Sequence, residues 1–313
     1  MKKMPFAMLL LGLSSAFWFT GCDKSSSTEP SVSDKDALSS IIADDALFSA
    51  DNVLLNDGDP TTTSAMYSLA KTSTAIIPHN WGRKIESFSR TIDFAAITDT
   101  TAQATVTHTM TGFLWIRGKY STSDTAVTTV KKPFTETTTR IARFVRIARS
   151  DNPKRNWKIS ELSAVKGGTA GSGITINEIR FYAGDDTVIV TDPNNTFLKF
   201  AKGRGKFVPE LSVDPNTPLR VQVTVTSTSP DSDFVTAHRP FWYMNKWIYR
   251  APMLLVSSNA NGDGTFIRVY EHSWRGVWMG RHNLLVSALT RSSIFDDAAN
   301  VSSQIWGVPF IAL

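Results

Sequence analysis

From Thr105 to Ile116 the side chains alternate with a period of two. Val106, His108, Met110, Leu114 and Ile116 fall on one face. Thr105, Thr107, Thr109, Thr111, Phe113 and Trp115 fall on the other. That repeat belongs to a strand, and its length demands strands of similar length on either side. The run around Thr91 to Ile97 meets it across the turn Asp99-Thr100-Thr101. A second pair, Phe134 to Ala148 and Asn156 to Val165, is joined by Ser150-Asp151-Asn152-Pro153, whose residues favour turns through their side-chain hydrogen bonds and fixed φ.

Upstream, the period changes. Leu38, Ile41 and Ile42 stand at helical spacing, and Leu47, Phe48 and Val53-Leu54-Leu55 extend the apolar face to about Asn56. Ser33 and Asp36 form a capping box with Asp in place of Glu, and Asn56-Asp57-Gly58-Asp59-Pro60 stops the helix. Residues 37–166 thus read as an α+β domain, with helices packed on a curved antiparallel sheet. This order, closed by the strand Trp157-Lys158-Ile159-Ser160-Glu161-Leu162, resembles the cone-shaped fold of nuclear transport factor 2 and the polyketide-cyclase-like proteins. A cystatin-like sheet over one helix is the neighbouring alternative. The resemblance implies a pocket between sheet and helices.

Gly167 to Gly173 has the composition of a flexible linker. Beyond it, residues 174–313 are short extended runs bounded by Pro, Gly, Asn and Asp. Leu219, Val221, Val223 and Val225 alternate with Arg220, Gln222, Thr224 and Thr226, and Leu284-Leu285-Val286 and Trp306 to Leu313 add further strands. Such spacing predicts an all-β sandwich resembling the immunoglobulin class, without the cysteine pair of a true immunoglobulin domain.

At the N-terminus, Lys2 and Lys3 precede an apolar run from Phe6 to Phe19 that is short for a spanning helix. Thr20-Gly21-Cys22 follows, and Cys22 is the chain's only cysteine. These residues resemble the lipobox of bacterial lipoproteins, although Phe19 stands where that pattern favours an aliphatic residue. The resemblance implies a signal peptide over 1–21 and acylation (diacylglycerol and palmitate) of Cys22. It also implies attachment to a membrane of the bacterial cell envelope, with Asp23 leaving open which one. A plain signal peptide with an unmodified cysteine is the alternative. Residues 22–36 are rich in Ser, Thr and charge and read as a tether. The 33 basic residues fall by the two lost with Lys2 and Lys3 to 31, against 28 acids, so charge does not argue for nucleic acid.

Few residues suggest chemistry. His108 on the apolar face and Asp93 on the preceding strand could line a pocket, where an imidazole and a carboxylate would be tuned for acid–base work or ligand binding. A packed histidine and a surface acid are the plainer reading. Trp242, Trp247, Trp274 and Trp278 could stack on sugar rings if exposed together, as in carbohydrate-binding sandwiches, or could belong to the core. Arg140, Arg143, Arg146 and Arg149 split by parity between two strand faces. They could meet anionic lipid or polysaccharide, or simply solvate a sheet. Asn259 to Gly264 lacks the twelfth-position Glu of a calcium loop and reads as a hairpin turn. Nucleophile-elbow, zinc-protease and phosphate-loop motifs are absent, so neither metal nor cofactor is expected. The expected function is a non-enzymatic binding or structural module of the envelope, with protein or glycan as partner. A ligand or enzymatic pocket in the first domain, and carbohydrate binding by the second, are the alternatives.

Overall fold

The computed structural model describes residues 33–48, 55–57, 76–203, 206–209, 211–243 and 246–313, without the side chains of 201–209 and 240–249. The signal peptide, Cys22, the tether up to residue 32 and the expected helix stop at 58–60 lie outside the described residues.

Helix α1, Asp34–Asp44, begins as the capping box predicts: Ser33 Oγ accepts from the Asp36 amide at 3.2 Å and donates to the Asp36 carboxylate at 2.7 Å. Three long strands follow, β1 (Ile77–Ile97), β2 (Thr101–Lys119) and β3 (Thr128–Arg146). A single helical turn, α2 (Pro153–Asn156), leads into β4 (Trp157–Ser163) and β5 (Val165–Thr169). Then come β6 (Ile174–Ala183), β7 (Asp186–Val190), β8 (Phe197–Gly203), β9 (Lys206–Pro209), β10 (Ser212–Val213) and β11 (Leu219–Ser227). The chain closes with β12 (Phe234–Tyr243), β13 (Lys246–Pro252), β14 (Leu254–Ala260), β15 (Phe266–Trp274), β16 (Gly280–Leu289), the short helix α3 (Arg291–Phe295) and β17 (Ser303–Ala312).

Among the described residues these strands form two sheets. Twelve make one curled sheet with a half-barrel, running β13-β12-β16-β17-β5-β3-β4-β8-β9, with β2 and β1 continuing from β3 and β10 beside β17. The sheet branches at β3, whose one edge pairs with β5 over Glu136–Thr139 and with β4 over Ala142–Arg146. At the branch the Ile141 amide has left one partner before reaching the next, and Ser163 Oγ accepts its hydrogen bond at 2.8 Å. Close approach at this junction also explains Gly167: a Cβ there would lie 2.1 Å from Thr137 O. The other sheet runs β14-β15-β11-β6-β7.

The α+β expectation is overturned. Among the described residues the helices are α1, the helical residues 46–48 and 55, and two segments of five residues or fewer, and they make no helical layer over the sheet. The physical reason lies in the strands: alternation rich in β-branched residues runs through β2 and β3, 19 residues each, and the 21 residues of β1 pair along β2. One patch of the apolar face, at Ala104, Val106, Ala142 and Phe144, is covered by Leu38, Ile42, Leu47 and Phe48; elsewhere it meets other strands. Nor is the C-terminal half an independent immunoglobulin-like sandwich. Its five-stranded sheet packs on β12, β16 and β17, and these belong to the same sheet as β1–β5. Residues 167–173 are built as the end of β5 and a turn.

Two interiors result. One is the apolar layer between the sheets, with Val221, Val223, Phe181 and Ile179 facing Leu284, Val286, Trp306, Val308 and Phe310. The other lies in the hollow of the half-barrel, where Trp81, Leu114, Phe134, Phe234 and Phe295 surround polar side chains. The two ends of the curl meet through side chains. On β13, Arg250 pairs with Asp57 at 2.7 Å, donates to Trp81 O on β1 at 2.7 Å and lies 4.3 Å over the Trp81 ring.

Candidate interaction edge

His108 and Asp93 are not brought together. His108 points into the half-barrel at 3% exposure, its ring 4.9 Å from that of Phe88. Asp93 pairs with Thr105, three positions along β2, and the alternation of that strand sends it to the opposite, exposed face.

The half-barrel holds a polar network that sequence reasoning missed. Glu136 and Arg83 are both completely buried and form an ion pair at 3.1 Å. Ser303 Oγ donates to Glu136 Oε1 at 2.5 Å, and Arg83 Nη2 donates to Ser287 Oγ at 2.7 Å. Four strands (β1, β3, β16 and β17) are thereby tied across the hollow. Two positions along β3 either way of Phe134 and Thr138 lie further buried cations. Lys132 donates to the carbonyls of Ser293 and Asp296 at 2.7 and 2.8 Å. Arg140 donates to Leu47 O and Asn283 Oδ1 at 2.8 and 2.9 Å. Burial pushes the Lys132 ammonium down to about 8, against the opposing pull of Asp296 and Asp297. The arginine series divides by parity as its spacing requires: Arg140 turns inward, while Arg143 stays outside and pairs with Glu161 at 2.7 Å. Closed to solvent, these interior groups tie β3 to β1, β16, β17 and the segments at Leu47 and Ser293.

Of the four tryptophans, Trp274 and Trp278 have described side chains, and these two do not share a surface. Trp274 is in the apolar layer, stacked 6.1 Å from Phe181 and 5.7 Å from His272. Trp278 is 60% exposed beyond it. The side chains of Trp242 and Trp247 lie outside the described residues. Burial and the nearby Arg239 charge push the His272 imidazole down to about 4. A cleft of about 510 Å³ passes Trp274, Tyr182 and Arg220. Of the two arginines that line it, Arg220 is already engaged, 3.9 Å over the Tyr182 ring and 3.4 Å from Glu271.

The feature least explained by the protein's own packing is β14. It is an edge strand, with β15 on one side and no described strand on the other. Leu254, Leu255 and Val256 are exposed by 75%, 45% and 58%. Leu255 pairs with Tyr270 and shares its inward direction, but the opposing sheet does not reach far enough to cover it. Edge strands offer unpaired main-chain groups and are normally guarded by charge. The two-residue β10 apart, the other described edges carry charged residues in their sequence: β1 Lys84, Glu86, Arg90 and Asp93, β7 Asp186, β9 Lys206 and β13 Lys246. β14 carries no charged residue. Its one guarding device is a bulge between Leu255 and Ser257.

Compared with known proteins, the chain matches no family model, no curated protein and no solved structure. Its function must therefore be argued from its own geometry. The run Leu254-Leu255-Val256 could have been singled out from sequence only as an uncharged strand before the Asn261-Gly262-Asp263-Gly264 turn. An apolar run of that kind reads as core, which hides the site.

Proposed function

We propose that the chain is a lipid-anchored protein of the bacterial cell envelope. Its β-structured body acts as a non-enzymatic binding module that receives a partner strand along β14. The observation that carries the binding role is the uncharged, apolar edge of β14, paired by no described strand, beside described edges of four residues or more that each carry charge. Strand addition suits such an edge: the backbone supplies the affinity, and exposed side chains such as Leu254 and Val256 supply the selectivity. The anchor rests on Lys2, Lys3, the apolar run and Cys22. Several acyl chains on one residue hold a protein at a bilayer stably, at ~0.8 kcal/mol per buried methylene. Among the described residues no helix is long and apolar enough to cross a membrane.

Two measurements test the two halves of this reading. Radiolabelled palmitate should enter the protein in growing cells and be lost in Cys22→Ser; label persisting in that variant removes the anchor. A photo-crosslinking residue at Leu255 should give a discrete adduct in intact cells, and one at Ile189 on the opposite edge should not. Equal or absent adducts at the two positions remove the binding edge.

A further inference from the structure

We infer that the strand received by β14 is β14 of a second copy of this chain, paired antiparallel about a two-fold axis so that the two five-stranded sheets continue into one. This rests on the reading of β14 as the binding edge and names its occupant.

Charge and symmetry carry the inference. In a two-fold pair a strand meets itself, so any charge near its centre faces the same charge on the copy. That is why charged edges reject their own copies first. About a centre at Ser87, Lys84 of one copy would meet Arg90 of the other on β1. β14 alone among the described edges of four residues or more carries no charged residue. Antiparallel self-pairing also matches main-chain donors with acceptors without any adjustment of sequence.

Centring the pair on Ser257 gives each exposed apolar residue a small or neutral neighbour. Leu254 then faces Ala260 of the copy, Leu255 faces Asn259, and Val256 faces Ser258. Large side chains consequently never collide across the seam, and their exposed surfaces are covered. The same register complements charge at the ends of the seam. The Leu254–Glu271 pairing places Arg275 just beyond the start of β14, while Asp263 stands in the turn after its end. Reversal of the second strand brings Asp263 of one copy to the level of Arg275 of the other, about two strand spacings away. The bulge at Val256 bends the edge locally, so each half of the seam sets the regular Ser258–Ala260 of one copy against the bulged Leu254–Val256 of the other.

The test uses the native chain, extracted from membranes in mild detergent. Sedimentation should give the mass of two chains. Leu255→Lys and Val256→Lys should each weaken association by on the order of tenfold or more, because each places an ammonium in the seam opposite a neutral residue, Asn259 or Ser258, with no acid to pair it, while thermal unfolding stays near that of the wild type. Mild oxidation of Ser257→Cys should give a covalent dimer, with none from the wild type or from Ile189→Cys. A wild type that sediments as one chain, or a dimer indifferent to both lysines, overturns the inference. If the wild type is a single chain and crosslinking from Leu255 still captures a different protein, the second copy is wrong and the binding edge stands. If nothing is captured, both are wrong.

Discussion

Strands β16 and β17 have two faces, and the two are buried in opposite ways. Toward the five-stranded sheet they present Leu284, Val286 and Ala288, with Trp306, Val308 and Phe310, and that layer is apolar apart from His272 and, at one end, the buried Arg268–Asp233 pair at 3.1 Å. Toward the half-barrel they present Asn283, Ser287 and Ser303 as well as Leu285 and Ile305, and there they meet Arg83, Glu136 and Arg140. Both faces exclude water, yet one is held by apolar area and the other largely by geometry. Apolar contacts tolerate small shifts, whereas a buried ion pair with fixed hydroxyl partners demands one arrangement of four strands. The comparison suggests a division of labour: the sandwich layer contributes most of the stability, and the half-barrel contributes the register.

The largest effect should come from the polar face. Glu136→Ala leaves Arg83 as a buried charge and should cost about 3–5 kcal/mol in urea unfolding. Combining Arg83→Met with Glu136→Leu should recover most of that loss. A cost below ~1 kcal/mol for the single change would mean the hollow admits water and would break the contrast. On the apolar face, Leu284→Ala removes contacts without stranding a charge and should cost about 2–5 kcal/mol, depending on how far the layer closes. The pair of values ranks the faces directly.

A smaller effect is expected at Gly307, on the inner side of the shared wall. A Cβ there would lie 2.4 Å from Leu285 Cδ2 and 3.3 Å from Val165 Cβ. Gly307→Ala should therefore overpack the wall by about 1–3 kcal/mol. A neutral result would show that Leu285 has room to turn away.

Proton linkage separates the faces more finely. Lys132 titrates at about 8 in the folded protein against an ordinary 10.5. Between those values the unfolded chain binds the extra proton, so stability should rise as pH climbs from 8 to 10.5. Lys132→Met should flatten that rise. His272, at the apolar layer, titrates at about 4 against 6.5. The same sign applies: stability should rise between pH 4 and 6.5, and His272→Asn should flatten that window. Thermal unfolding across pH reads both, and either slope surviving its substitution assigns it to other groups.

Much of the secondary structure was legible. The alternation at Thr105–Ile116 marks the middle of β2, and the parity of the arginines on β3 correctly separates Arg140 from Arg143. The first half of β1 was not legible, because Trp81-Gly82-Arg83-Lys84 shows no clean alternation and its burial comes from Phe234 and Arg250 across the curl. Glu136 sits between threonines and looks like a solvent-facing residue of a strand; only the arrival of Arg83 and Ser303 makes it interior. Leu254-Leu255-Val256 misleads the other way, since an apolar run reads as core and here lies open at an edge.

By itself, then, the sequence determined the local repeats: which stretches extend, where they turn, how α1 is capped and where the lone cysteine stands. These depend on neighbours in the chain, through backbone sterics and side-chain spacing. Tertiary structure alone decided that one sheet runs through both halves, that Glu136 is inside and that β14 is outside. A strand has two faces and two edges that its own residues describe equally well. Which of them is covered depends on pairings between residues far apart in the chain, and no local pattern encodes that choice.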